Sequence, residues 1–231
     1  MNQALLQATL WRGEGIDLSV AVNLSPVLLD HADLLEEISN LQQCHGIPAE
    51  HVMLEVTEGT LLRNFAVALG VLTRLRLRGF GLSLDDYGIG FSSMHQLARI
   101  PFTELKIDRA FVHGAHERES LRVILRSALD LAKQLGIEAV AEGVEEIEDW
   151  RLLQQYGCTL AQGWLLGKAM PGEQFAEWLK AHLARRPELR EQAFPEESQA
   201  DDDTAPLRKL PAEEESAVER DIAQRDSGHD P

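Results

Sequence analysis

Only two cysteines, Cys44 and Cys158, occur in the 231 residues. They lie far apart without ligand-like spacing, which argues against a disulfide framework or a cysteine metal cluster. Both read as reduced, partly buried thiols suited to a reducing cytosol. No run of eighteen apolar residues occurs, and residues 1–11 lack the charged start and apolar stretch of a signal peptide. A cytoplasmic protein with no membrane insertion is expected. Positive charge is also scarce, with 22 Lys and Arg against 38 Asp and Glu and a net charge of −16. That balance argues against a nucleic-acid polymer as partner, because phosphate backbones are held by surplus basic side chains. It leaves a nucleotide substrate open, since acidic clusters can hold divalent cations that present positive charge to phosphates.

The charge is unevenly placed. From Pro187 onward there are fourteen acids, five bases, four further prolines and few apolar residues. The composition predicts a domain over residues 1–186 and an acidic disordered tail over 187–231.

Within residues 1–186 six strand-like apolar runs, at 18–22, 51–56, 81–84, 104–107, 138–141 and 159–165, alternate with amphipathic stretches. Helical spacing marks 2–12, 27–44, 61–78, 120–135 and 146–156. Helix-stop signals follow at Gly46 and Pro48, Gly79, Gly136 and Gly157. Strand and helix in strict alternation predict an α/β fold with a parallel sheet.

Each run ends in or beside a polar residue: Asn23, Glu55, Asp85 with Asp86, Lys106, Glu142 and Gln162, at spacings of 20 to 36 residues. In a β/α barrel the C-terminal strand ends share one rim, so these residues would converge. Four carboxylates, an amide oxygen and one lysine suit hard divalent cations such as Mg²⁺ or Mn²⁺. Adjacent aspartates suggest two ions, and a pair of ions sharing a water suits phosphodiester hydrolysis. Lys106 would orient that water or offset charge on the phosphoryl oxygens.

The strings NLS at Asn23, LEVTE at Leu54, DDYGIGFSSM at Asp85, ELKID at Glu104, AEGVE at Ala141 and AQGWLLG at Ala161 resemble the successive motifs of EAL phosphodiesterases, in order and spacing. The resemblance spans about residues 5–179. It implies a TIM-like (β/α)8 barrel of the EAL type that opens cyclic-di-GMP to linear pGpG with two Mg²⁺ or Mn²⁺ ions. Asn23, Glu55 and Asp85 would hold one ion, and Asp85, Asp86 and Glu142 the second. Lys106 and Glu142 are implied as catalytic, with Glu58 bracing the loop after the paired aspartates, a loop that also supports dimerisation in the family. Gln162 and Asp108 are implied at the substrate.

Two departures stand out. Ile89-Gly90 replaces the usual Thr-Gly, which predicts altered loop stability or an altered dimer contact. No Glu-Ala-Leu string occurs, and the sequence begins after the family's first two strands, so the barrel is expected to be incomplete at the N-terminus, with about six of eight strands. An open barrel exposes edge strands to pairing, which points to a homodimer or a completing partner chain, a misplaced start, or a remnant. A binding module that retains the rim without cleaving is the second functional expectation. His113 and His116 read as solvated loop histidines, and Trp150, Trp164 and Trp178 as packing residues.

Overall fold

The computed structural model describes residues 1–88 and 98–193. Of the tail expected over 187–231, residues 187–193 are helical; the rest of it and the Ile89-Gly90 pair lie outside the described residues.

Six strands, β1 (Val20–Asn23), β2 (Val52–Thr57), β3 (Gly81–Tyr87), β4 (Glu104–Ile107), β5 (Glu138–Glu142) and β6 (Leu160–Gln162), pair in parallel in the order of the sequence. Parallel neighbours cannot be joined by a tight turn, and among the described residues helices lie between β1 and β2, β2 and β3, β4 and β5, and β5 and β6. The order never reverses, which is the wiring of a barrel wall and not of a doubly wound sheet.

Alternation within each strand decides which residues go where. Val52, Leu54 and Val56, then Leu82 and Leu84, Leu105 and Ile107, and Ala141 point to the helices and are buried. The intervening positions carry the polar residues. On the helix side the layer is built by α1 (Asn2–Gly13), α2 (Pro26–Leu29), α3 (Leu34–His45), α4 (Glu58–Arg63), α5 (Phe65–Leu77), α6 (Arg109–Val112), α7 (Glu119–Leu135), α8 (Ile147–Gln155) and α9 (Gly172–Ala193). Ile38 of α3, Leu72 and Leu75 of α5 and Leu125 and Leu129 of α7 supply the apolar stripe that closes on the strands. Left-handed glycines at Gly46 (φ 63°) and Gly136 (φ 67°) end α3 and α7.

Three expectations are corrected. The helix expected over 27–44 is two, because the chain leaves helical geometry between Leu29 and Leu34. That expected over 61–78 breaks at Asn64 (φ −153°), whose side chain accepts from the Val67 N–H and starts α5. The strand expected over 159–165 stops at Gln162. There Gly163 brings its backbone against Val144, so closely that a Cβ would lie 2.1 Å from the Val144 carbonyl oxygen, and the chain turns.

Candidate active site

Parallel register carries the inward polar residues to one end of the sheet. Asn23 pairs with Glu55, Glu55 with Ser83, Ser83 with Glu104, and Thr57 with Asp85. Farther along, Lys106 pairs with Val140 and Glu142 with Gln162. The rim residues therefore stay level from Asn23 to Glu55, climb by two to Asp85, climb by two again from Lys106 to Glu142 and stay level to Gln162, the stagger of a barrel wall. Glu55, Asp85, Lys106 and Glu142 become neighbours although they are far apart in sequence.

Adjacent strand residues ordinarily face opposite sides, so two consecutive aspartates cannot both face the rim in a regular strand. The structure solves this with a β-bulge. After the pairs Ser83 with Glu104 and Leu84 with Leu105, the register resumes at Tyr87 with Ile107. Asp85 and Asp86 thus stand opposite the single residue Lys106. Asp86 carries the strain, with φ 56°, the one non-glycine positive φ among the described residues. Aspartate is among the residue types that tolerate this region.

Lys106 is the hub, only 7% exposed. Its Nζ lies 2.7 Å from Glu142 Oε1, 2.9 Å from Glu55 Oε1 and 3.0 Å from Asp85 Oδ1. Burial would draw its pKa down, but the surrounding carboxylates of Glu142, Glu55 and Asp85 outweigh this and hold it above the ordinary lysine range. Lys106 is therefore a fixed cation and donor, not a proton acceptor at neutral pH. Burial pushes the Glu142 carboxyl up, while the Lys106 hydrogen bond and charge pull it back. Asp86 is raised by burial first, then by the charges of Asp85 and Asp108.

The donor set fits a divalent cation. Asp85, Asp86 and Glu142 each offer an oxygen, all within 4.8 Å of one another. Asp85 Oδ1 is buried and has no aligned hydrogen-bond donor, although the Lys106 charge lies 3.0 Å away. An oxygen so placed is short of a partner that a cation would supply, and an all-oxygen set suits Mg²⁺ or Mn²⁺.

The remaining expected residues sit around this cluster. Asn23 and Gln162 are exposed at the ends of β1 and β6. Glu58, buried at the start of α4, accepts at Oε1 from the Gly88 N–H at 3.0 Å, just past the bulge. Asp108 follows β4 and spends one oxygen capping α6, accepting from the Ala110 N–H at 2.7 Å. An arginine that sequence reading missed, Arg109, lies over Gly143 and pairs with Glu145 at 3.0 Å. Gly143 has φ 66°, and a Cβ there would meet Arg109 Cγ at 2.1 Å.

Two bland expectations are corrected. Trp164 does not pack: it is 64% exposed, with Lys168 Nζ 5.0 Å from its ring centre. Trp178 does pack, against Phe175 and His182. His116 is no solvated loop histidine, because its Nδ1 lies 2.8 Å from Oδ1 of Asp149, a residue only 1% exposed. Asp149 also accepts from the Gly114 and His116 N–H groups. One α8 carboxylate thus straps the loop after β4 to the helix after β5. Asp149→Ala would leave these amides without acceptors, costing about 2–4 kcal/mol in urea unfolding. The hydrogen bond to Asp149 raises the His116 pKa. A raised histidine pKa adds stability in full below about pH 6.5, lost as pH climbs through the raised value. His116→Gln should flatten that part of the stability profile.

Residues 1–169 match the family model described as EAL domain. The bifunctional diguanylate cyclase/cyclic di-GMP phosphodiesterase MucR of Pseudomonas aeruginosa is 39% identical over 176 residues, covering 75% of this chain and 26% of MucR. The cyclic di-GMP phosphodiesterase RocR of the same organism is 38% identical over 164 residues, covering 71% of this chain and 42% of RocR. The chain thus spans well under half of either relative. A solved MucR phosphodiesterase in complex with c-di-GMP superposes with a TM-score of 0.72 at 38% identity, over 75% of this chain and 71% of that one.

Proposed function

The chain belongs to the EAL domain family, and from that premise we propose that it binds cyclic-di-GMP at the rim and hydrolyses one phosphodiester bond to give linear pGpG. The observation that carries this reading is Lys106 held among Glu55, Asp85 and Glu142 beside the Asp85-Asp86 bulge. Relatives whose names specify cyclic di-GMP phosphodiesterase activity support the substrate.

Charge balance explains why ions belong in the reading. Glu55, Asp85, Asp86 and Glu142 set four negative charges against one ammonium, which would repel a dianionic cyclic dinucleotide. Two divalent ions reverse the sign. In the proposal Asn23, Glu55 and Asp85 hold one Mg²⁺ or Mn²⁺, and Asp85, Asp86 and Glu142 hold the other. Bound ions lower the pKa of a shared water and offset charge on the phosphoryl oxygens. Lys106, kept protonated, orients that water or donates to a phosphoryl oxygen. Glu58 fixes the chain at Gly88, and Gln162 and Asp108 face the substrate. A second copy of the chain, or a partner chain, is the proposed assembly state.

The direct test incubates purified chain with cyclic-di-GMP and Mg²⁺ or Mn²⁺ and follows pGpG by chromatography. Metal-dependent pGpG that EDTA suppresses is expected. Binding of the dinucleotide without product would select the second reading, a regulatory binding module.

A further inference from the structure

One inward step before Asp85 and Lys106, β3 and β4 carry Ser83 and Glu104, direct partners in the register. Barrel interiors ordinarily fill such positions with branched apolar side chains. Here a serine with no exposed surface donates from Oγ to Glu104 Oε1 at 2.6 Å. A fully buried hydroxyl bonded to a half-buried carboxylate is a costly pair to place where valine and leucine would pack.

The location matters because Glu104 lies two residues before Lys106 on the same strand face. Side chains so spaced leave the backbone about 6.6 Å apart, within reach for a glutamate and a lysine, and the Lys106 charge acts on Glu104. An untethered Glu104 would be a fourth acceptor for Lys106 Nζ, drawing the ammonium inward and away from Glu55, Asp85 and Glu142.

We propose that Ser83 and Glu104 form a positioning pair: the Ser83 hydrogen bond holds Glu104 against β3 and thereby leaves Lys106 committed to the three carboxylates at the rim. The role in turnover rests on the phosphodiesterase reading; the effect on the metal site does not. Lys106 and a cation compete for the same carboxylate oxygens, so drawing Lys106 away should help the cation bind while removing the donor that the reaction uses. Loss of the tether therefore moves two readouts in opposite directions, whereas a merely loosened fold would weaken both.

The experiment measures Mn²⁺ affinity by calorimetry, and kcat and KM for cyclic-di-GMP, in wild type, Ser83→Ala, Glu104→Gln and Ser83→Ala/Glu104→Gln. In Ser83→Ala, Mn²⁺ should bind about 3- to 10-fold more tightly, a change of up to one factor of ten in Kd. Its kcat should fall about tenfold with KM little changed. Glu104→Gln keeps an acceptor for Ser83 and should resemble wild type. The double variant, with no free carboxylate to compete, should return both quantities toward wild type. Weaker Mn²⁺ binding in Ser83→Ala, or a double variant no better than the single one, overturns the proposal. The Mn²⁺ shift and its reversal without any cleavage in wild type would uphold the positioning pair and sink the phosphodiesterase reading alone.

Discussion

Lys106→Met should destabilise the metal-free domain by about 3–5 kcal/mol, the cost of removing one member of a buried charge cluster, and Mn²⁺ should restore most of it. Methionine fills much of the same space, so the loss is of charge. Three carboxylates that now reach Lys106 within 3.0 Å would then face one another with no cation between them. Burial already raises Glu142 with Lys106 in place, so its removal pushes the cluster further toward protonation. A carboxyl raised in the folded state favours folding at low pH and loses that contribution as pH rises through the folded value. The variant should therefore gain relative to wild type on acidification from pH 7 toward 5. Wild type behaves differently at the alkaline end, where the raised Lys106 pKa contributes stability in full below about pH 10.5, lost only as pH rises beyond it. Urea unfolding in EDTA and again in Mn²⁺ checks this. Equal stability of variant and wild type in EDTA would show that the ammonium does not hold the carboxylates together.

That cluster was partly legible in the sequence. Leu54-Glu55-Val56 and Leu105-Lys106-Ile107 alternate apolar and polar, and alternation alone sends Glu55 and Lys106 to the face opposite the helices. Repetition of the pattern over six units implied a common rim. The bulge was not legible, because Asp85-Asp86 in a regular strand would point to opposite sides and nothing local announces an extra residue. Ser83 and Glu104 are likewise unremarkable in sequence, 21 positions apart, until the register pairs them. His116 read as a solvated loop histidine, and only the folded arrangement of β4 and β5 brings it to 2.8 Å from Asp149. Helix breaks at residues 30–33 and at Asn64 were missed for a related reason. Apolar spacing persists through them, while the backbone leaves helical geometry between α2 and α3 and between α4 and α5.

Asp85→Asn should reduce metal-dependent turnover by about 10³-fold or more, roughly 4 kcal/mol of transition-state stabilisation, without lowering the stability of the metal-free protein. The two halves of this prediction have separate causes. In the proposed reading Asp85 would help to hold both ions, so a neutral amide there would weaken the hold on each and with it the activation of water that they would supply. For folding the same change is mild. Four carboxylates crowd one ammonium, and Lys106 retains Glu142 at 2.7 Å and Glu55 at 2.9 Å when Asp85 is neutral. Removing one negative charge relieves repulsion on Asp86, whose pKa Asp85 helps to raise. Asp86→Asn is the matched comparison, since asparagine also tolerates the positive φ that the bulge requires. It should weaken Mn²⁺ binding with the backbone unchanged. Activity lost together with several kcal/mol of stability in Asp85→Asn would mean that the carboxylate is structural. Activity lost at constant or improved stability would mean that the site holds like charges together for the sake of the cations it binds.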